Sequence, residues 1–117
     1  MDSTQLLKGV LDTAVLAVLE AEDGYGYDIV RRLRDSGFTD IGDASVYGTL
    51  RRLYSAGALS SYLVASTDGP HRKYYGLKPE GARQLKVERE QWLAFAATMT
   101  NVLAETKTTK KAGKDAH

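Results

Sequence analysis

ASVYGTLRRLYSAGAL (residues 44–59) and SSYLVASTDGPHRKYYGL (residues 60–77) follow one another directly and decide the fold. The first segment has apolar residues at helical spacing, which are Val46, Leu50, Leu53 and Tyr54. Gly57 is a typical helix end. The second segment has β-branched and aromatic residues on both sides of an Asp-Gly-Pro turn signal at 68–70. The stretch therefore predicts a helix over 44–57 and a hairpin with strands at 59–66 and 72–77, joined by a loop of about five residues.

Two helices are predicted before this stretch. LLKGVLDTAVLAVLEAE (6–22) is apolar around most of a helical surface, and only Asp12 and Thr13 interrupt the apolar stretch 10–19. We therefore expect this helix to be buried on more than one side. In a chain this small, the second side is expected to meet another subunit. GYGYDIVRRLRDSG (24–37) predicts a second helix that ends at Gly37.

A long helix is predicted after the hairpin, over 80–105. Its large apolar residues repeat in a nearly heptad pattern that only Glu88 interrupts; they are Leu85, Trp92, Phe95, Met99 and Val102. We expect 106–117 to be a disordered tail, because its sequence is polar and of low complexity. The predicted domains are 1–78, 79–105 and 106–117.

The predicted order is three helices, two strands and a long helix. This order is typical of a winged helix-turn-helix domain. The fold class is mainly α with a small β-hairpin, and the long C-terminal helix is expected to be a dimerisation helix.

The charge is distributed unevenly along the chain, although the net charge is only +1. Residues 1–43 have four basic and nine acidic side chains, a net −5, whereas residues 44–78 have five basic and one acidic, a net +4. A locally basic segment can bind phosphates in a nearly neutral protein, because surface charges act over roughly 8 Å at physiological salt. Residues 44–78 are therefore a candidate phosphate-binding segment. The alternative is that its basic side chains only solvate the surface; they are Arg51, Arg52, Arg72 and Lys73.

Catalysis and metal binding have little basis in the sequence. The chain has no cysteine, and its only histidines are His71 and the last residue, His117. No signal peptide is visible, and the apolar run at 14–19 is too short to span a bilayer. We expect a cytoplasmic protein that is not an enzyme, needs no cofactor and does not contact a membrane.

Double-stranded DNA is the expected partner. In a winged helix the third helix enters the major groove by its polar face. The expected contacts from that face are Ser45, Tyr47, Gly48, Thr49, Arg51 and Arg52. The expected contacts from the wing at 67–75 are His71, Arg72 and Lys73, which are expected at its tip, on phosphates or in the minor groove.

Three motifs resemble the PadR-like family of transcriptional regulators. GYGYDIVRRL (24–33) resembles the stretch between that family's first two helices, and ASVYGTLRRLYSAGAL (44–59) resembles its recognition helix. GPHRKYYGLKPEG (69–81) resembles its wing and the start of its last helix. The resemblance extends from about residue 6 to residue 102 and implies a DNA-binding regulator.

The resemblance also implies a homodimer formed by the last helix, with the first helix joining in. Such a dimer would bind a near-palindromic operator, and it would act as a repressor because blocking a promoter needs no further domain. The expected interface residues are Leu7, Leu11, Val15, Leu85, Trp92, Phe95, Met99, Val102 and Leu103.

A small aromatic ligand is a further expectation, because some family members bind such compounds at the dimer interface. Trp92 stands where certain multidrug-sensing members have a tryptophan. The expected lining is Trp92, Phe95, Ala96 and Met99. The alternative is that Trp92 is simply a large interface residue.

Two other functions fit the same sequence. The basic face could bind an acidic protein instead of DNA, or the chain could be a ligand-binding scaffold whose DNA contacts are vestigial. The dependence of binding on salt distinguishes DNA from a protein partner.

Overall fold

The computed structural model describes the backbone of residues 9–115 and the side chains of residues 9–105. These residues form four helices and a three-stranded antiparallel sheet. The elements are α1 (Leu11–Ala21), β1 (Gly24–Tyr25), α2 (Gly26–Asp35), α3 (Asp43–Ser55), β2 (Leu59–Ser66), β3 (Gly69–Leu77) and α4 (Pro79–Asp115). The prediction of a mainly α chain with a hairpin and a long last helix is confirmed.

The chain divides into two compact units, Met1–Lys86 and Val87–His117. The first residues of α4 therefore belong with α1–α3 and the sheet. The functional division at residues 78 and 105 stays a prediction. The helix continues past the expected end at 105, but the side chains of 106–117 lie outside the described part, so the disorder expected for that tail also stays a prediction.

The first unit has one hydrophobic core. Each of α1, α2 and α3 contributes an apolar stripe, and β2, β3 and the start of α4 complete it. The completely or almost completely buried apolar side chains are Val15, Leu16, Leu19, Ile29, Val30, Leu33, Ile41, Val46, Leu50, Leu53, Ala58, Leu59 and Leu85. The helical spacing in 44–59 thus predicted the burial of Val46, Leu50 and Leu53 correctly, whereas Tyr54, expected with them, is 48% exposed.

Both helices of the helix-turn-helix end on a glycine with positive φ, at Gly37 (φ 126°) and Gly57 (φ 84°). After α3, the N–H of Gly57 donates to the carbonyl of Tyr54 at 3.0 Å, and the N–H of Ala58 donates to that of Leu53 at 2.9 Å. This pair of bonds is the Schellman motif, which satisfies the last carbonyls of a helix. The predicted helix ends at these glycines are therefore confirmed within two residues.

The sheet differs from the predicted hairpin in two ways. The strand order is β1-β3-β2, because Gly24 and Tyr25 pair with Tyr75 and Tyr74. Gly24 and Tyr25 were predicted to lie in the second helix, and this was wrong, because the helix begins at Gly26. The hairpin loop is also shorter than expected, since Ser66 pairs with Gly69 and a bulge follows Val64.

Arg32 joins the end of α1 to α2. Its guanidinium donates to the carbonyls of Glu22 at 2.9 Å and Asp23 at 2.7 Å, and to the carboxylate of Asp28 at 2.5 Å. Carbonyls at the end of a helix have no partner within the helix. Arg32 therefore stabilises the corner between α1 and β1, which places Tyr25 beside β3.

Candidate nucleic-acid interface

The exposed face of α3 is the first part of the candidate interface. Val46, Leu50 and Leu53 point into the core, so the opposite side of the helix faces solvent. Ser45, Arg51 and Arg52 are exposed, and Gly48 is half-buried. Gly48 has open space where a side chain would stand, with only the guanidinium of Arg51 at 4.0 Å. This face can therefore approach another molecule closely at Gly48.

Thr49 does not lie on this face. It is only 3% exposed, and its hydroxyl donates to the carbonyl of Ser45 at 2.8 Å. The expectation that Thr49 is displayed to DNA is wrong for this reason. A threonine hydroxyl can be satisfied by the carbonyl four residues earlier, which allows the residue to be buried in a helix.

Tyr47 is half-buried and packs against the core. Its ring lies so close to the backbone of Gly26 that a Cβ at Gly26 would come within 2.0 Å of it. The ring thus contacts the start of α2, and only part of Tyr47 is available to a partner.

Arg52 is exposed but already has a partner. Its two terminal nitrogens donate to the carboxylate of Asp12 on α1 at 2.7 and 2.9 Å. This hydrogen bonding, together with the charge of Asp12, raises the pKa of Arg52 above its usual value. Arg51 makes no hydrogen bond or ion pair with any of residues 9–105. Of the two arginines, Arg51 is the one available to phosphate.

The wing, which we define as β2, β3 and their turn (59–77), is the second part of the candidate interface. His71, Arg72 and Lys73 are exposed, as predicted. They do not lie at the tip, however. Arg72 pairs with Val64 and Lys73 with Leu63 within the strands, and the turn is at Thr67 and Asp68. The shorter loop explains the difference, since β3 already begins at Gly69.

Each cation of the wing strand lies over a tyrosine ring. The guanidinium carbon of Arg72 is 4.6 Å from the ring centre of Tyr25. The Lys73 Nζ is 5.5 Å from the ring centre of Tyr54 and 5.7 Å from that of Tyr75. These distances lie within the range of cation–π attraction.

Tyr25, Tyr74 and Tyr62 form a row across the three strands, which we call the tyrosine row. The ring centres are 5.5 Å apart between Tyr25 and Tyr74 and 5.8 Å apart between Tyr74 and Tyr62. The Tyr62 hydroxyl donates to the carboxylate of Asp23 at 2.5 Å. That hydrogen bond raises the pKa of Tyr62 above its usual range.

Sequence reasoning missed three residues of this region. Tyr25 was assigned to a helix, Tyr54 to the core, and Asp12 to a break in an apolar stretch. A signal for Asp12 was present, because a lone carboxylate within the apolar run of α1 needs a partner or solvent. Nothing in the local sequence points to Arg52 as that partner, since the two are far apart along the chain.

The residues expected at a dimer interface fall into two groups. Leu11, Val15 and Leu85 are buried in the core of the first unit, so their assignment to an intermolecular surface is wrong. Leu7 lies outside the described residues. The others are exposed on α4 in the second unit, and they are Trp92, Phe95, Met99, Val102 and Leu103.

The residues expected to bind a ligand lie together on α4. Trp92 and Phe95 have ring centres 5.9 Å apart. Met99 is exposed and Ala96 is half-buried.

None of the helices in the described part is long and apolar enough to span a membrane. In the same part, no group of acidic, histidine or cysteine side chains could hold a metal ion.

Comparisons with known proteins agree with this geometry. The family sequence model described as "Transcriptional regulator PadR-like family" matches residues 15–87 of this chain. A PadR-like transcriptional regulator from Bacillus cereus has a similar structure, with a TM-score of 0.77, 35% identity, and coverage of 85% of this chain and 96% of that one. A Streptococcus transcriptional regulator is similar with a TM-score of 0.75, 35% identity, and coverage of 84% and 96%.

Bacillus subtilis PadR, solved in complex with operator DNA, shares the fold. Its TM-score is 0.61 at 24% identity, and the match covers 72% of this chain and 46% of that one. The winged-helix prediction is confirmed by these structures, and the expectation of a non-catalytic protein agrees with the family. This chain belongs to the PadR-like family of transcriptional regulators.

Proposed function

We propose that this chain is a homodimeric repressor that binds a near-palindromic operator in double-stranded DNA. The exposed face of α3 enters the major groove, and the wing contacts the backbone or an adjacent minor groove. Bound across a promoter, the dimer blocks transcription by steric occlusion. With DNA as its partner, it acts in the cytoplasm.

The observation that carries this proposal is the shared exposure of cations on α3 and β3. Arg51, Arg72 and Lys73 are all exposed, and the only acidic residue in 44–78 is Asp68. Phosphates dominate the affinity of proteins for DNA, so such a surface fits a nucleic-acid partner. The fold shared with the operator-bound Bacillus subtilis protein supports the same partner.

The contacts divide by their chemistry and position. Ser45 and Gly48 lie in the first half of α3, and in a helix-turn-helix the first residues of the recognition helix contact base edges. Arg51 reaches phosphates or guanine edges. Arg72 and Lys73 contact phosphates, which position the protein without reading the sequence. We assign His71 to the same group.

The dimer forms through α4. The exposed apolar residues of the second unit repeat at a spacing typical of a helix–helix seam. Two copies of this seam would bury one another and present two recognition helices to half-sites roughly 34–36 Å apart, or a multiple of that distance.

A small planar ligand regulates the dimer at this interface. Trp92 and Phe95 supply adjacent aromatic rings, and Ala96 and Met99 supply a small and an adaptable neighbour. Trp92 is the chain's only tryptophan, so its fluorescence reports binding directly. We expect planar aromatic compounds to quench it and to weaken operator binding at the same concentrations. Absence of quenching across a panel of such compounds would remove this part of the proposal.

The test is binding to DNA upstream of the protein's own gene, compared with a scrambled duplex at about 150 mM salt. We expect the native fragment to bind at least ~10³-fold more tightly, as specific binders do. The affinity should fall with log salt, with a slope near −0.9 for each phosphate neutralised. Equal weak binding to both duplexes would point to a different target or to an acidic protein partner.

The matched control is a pair of exposed arginines. Arg51→Ala should weaken binding and reduce the salt slope by about one phosphate. Arg83 pairs with Glu80 on α4 and belongs neither to α3 nor to the wing. Arg83→Ala removes the same charge from the chain and should leave both quantities unchanged. Equal effects of the two substitutions would mean that only net charge matters.

A further inference from the structure

The two adjacent cations of β3 are held from opposite sides. Successive side chains of a strand point to opposite faces of the sheet. Arg72 accordingly lies over Tyr25 of β1, at 4.6 Å. On the other face, Lys73 lies 5.5 Å from the ring centre of Tyr54 of α3 and 5.7 Å from that of Tyr75 of its own strand. Each cation therefore contacts one ring that comes from a neighbouring element.

The Tyr25 ring is itself fixed. It pairs in register with Tyr74, which pairs in turn with Tyr62. Tyr62 is anchored by its hydrogen bond to Asp23. Because these contacts fix the tyrosine row, the ring face of Tyr25 beneath Arg72 has a defined position.

The Tyr54 ring belongs to the last turn of α3, the helix with the proposed major-groove face. Its contact with Lys73 therefore joins the wing to the recognition helix. Tyr54 is about half-exposed, so it is not needed to fill the core. Its exposure requires another explanation, and the contact with Lys73 supplies one.

A ring face leaves the hydrogen-bonding groups of a cation free. A stacked guanidinium keeps the N–H groups at its edge for phosphate, and an ammonium keeps several donors. A long side chain that is already held also loses less rotamer freedom when it binds. The tyrosines can thus prepare Arg72 and Lys73 for phosphates without competing for them.

We propose that Tyr25 and Tyr54 are positioning residues for DNA binding, which hold Arg72 and Lys73 in the orientation that contacts phosphate. This inference rests on the proposed function, because it assumes that the wing binds DNA. Tyr54 additionally sets the position of the wing relative to α3.

The first test replaces Tyr54 by phenylalanine and by leucine. Phenylalanine keeps the ring face, so Tyr54→Phe should bind operator DNA as the wild type does. Tyr54→Leu should lose about two- to fivefold in affinity, the size of one exposed cation–π contact. Tyr27 is also half-exposed but makes no ring contact among the described residues, so Tyr27→Leu is the matched control and should have no effect.

The second test is a double-mutant cycle with Lys73→Ala. In the Lys73→Ala background, Tyr54→Leu should cost no further affinity, because the cation that the ring positions is gone. Tyr54→Leu alone should leave the salt slope unchanged, whereas Lys73→Ala should reduce it by about 0.9. The same cycle applies to Tyr25 and Arg72, with thermal unfolding as a check that each variant is folded.

The outcomes separate this inference from the proposed function. Additive losses in the cycle, or equal losses from Tyr54→Phe and Tyr54→Leu, would overturn the positioning role while leaving DNA binding intact. If neither Lys73→Ala nor Arg72→Ala weakens DNA binding, the proposal that the wing contacts DNA is itself overturned.

Discussion

Gly26 and Gly81 are two of the four glycines of the first unit at which an added Cβ would come within 3.0 Å of a neighbouring group. A Cβ at Gly26 would meet the ring of Tyr47, and one at Gly81 would lie 2.3 Å from the carbonyl oxygen of Ala58. A tyrosine ring can turn aside, but a backbone carbonyl cannot. The Ala58 carbonyl is held further by the N–H of Lys78 at 3.0 Å, so Gly81 is the more demanding position.

Gly81→Ala should therefore destabilise the protein. Alanine usually stabilises a helix interior by about 1 kcal/mol relative to glycine. Here the clash with Ala58 must displace the start of α4 from the core, and overpacking of this kind costs about 1–3 kcal/mol. We expect a net decrease in the free energy of unfolding, measured by urea denaturation.

Gly69→Ala is the control for this prediction. Gly69 has no atom within 4 Å of its Cβ position and does not have a positive φ. Its replacement should change stability little. If Gly81→Ala were as stable as the wild type, the approach of α4 to Ala58 would have to be looser than described.

The Tyr62–Asp23 hydrogen bond should make stability depend on pH at the alkaline end. The pKa of Tyr62 is raised in the folded state, chiefly because its hydroxyl donates to the Asp23 carboxylate. A raised pKa means that the interaction contributes its full stability below the unfolded value of about 10 and loses it as pH rises through the folded value. The ionised phenol can no longer donate and is repelled by Asp23.

The measurement compares the Tm of the wild type and Tyr62→Phe from neutral to strongly alkaline pH. The difference in Tm should be constant below about pH 10 and should shrink above it. Tyr27→Phe serves as the control, since no described residue forms a hydrogen bond with Tyr27. A wild-type advantage over Tyr62→Phe that persists unchanged above that pH would contradict the assignment.

Between elements, the ion pair of Asp12 and Arg52 links α1 to the recognition helix. Arg52 can contact DNA only if it leaves or shares the carboxylate of Asp12. Asp12→Asn removes the competing charge, and it also removes a carboxylate that repels phosphate. We expect operator affinity to rise by about two- to tenfold, with the salt slope steeper by up to about 0.9. Fluorescence anisotropy at several salt concentrations measures both.

The same substitution should cost less than about 1 kcal/mol of stability, because the pair is largely exposed and screened by solvent. Asp35→Asn is the control. Asp35 is also exposed, and among the described residues it makes no ion pair with an arginine. Asp35→Asn removes the same charge as Asp12→Asn and should leave the salt slope of operator binding unchanged. If Asp12→Asn also leaves the salt slope of operator binding unchanged, then Arg52 only links α1 to α3 and does not reach DNA.

How far the sequence predicts these elements depends on how local their causes are. The stripe of Val46, Leu50 and Leu53 predicted α3 because burial on one face of a helix leaves a periodic trace. Gly37 and Gly57 marked helix ends because few other residues adopt positive φ readily. These features depend only on residues close together in the chain.

Features that depend on distant pairing could not be predicted in the same way. β1 is too short to show alternation, and it exists only because β3 offers it a partner. The hairpin turn was misplaced because strand register decides whether Gly69 is loop or strand. The burial of Thr49 likewise left no trace in the sequence pattern, although its hydroxyl is satisfied locally by the carbonyl of Ser45. At the candidate interface, the cations were therefore predictable and the tyrosines beneath them were not.

At the scale of the whole molecule, the second unit has apolar side chains that are exposed in the described part of the chain. Trp92, Phe95, Met99 and Val102 are all exposed, although each favours burial. Exposed apolar patches on soluble proteins mark sites of association. The heptad-like spacing of these residues favours a second copy of the same helix as the partner.

Phe95→Glu should consequently convert the proposed dimer to a monomer. A carboxylate placed in an apolar interface without a partner costs about 3 kcal/mol or more, which raises the dimer dissociation constant at least a hundredfold. Sedimentation equilibrium measures the mass directly.

Ala97 is the control position for Phe95→Glu. It is also exposed but lies on roughly the opposite side of α4, so Ala97→Glu should remain dimeric. The first unit has its own core, so both variants should keep the wild-type affinity for a single half-site, and only Phe95→Glu should lose affinity for the full palindrome. A dimeric Phe95→Glu protein would instead assign the subunit contact to a different surface.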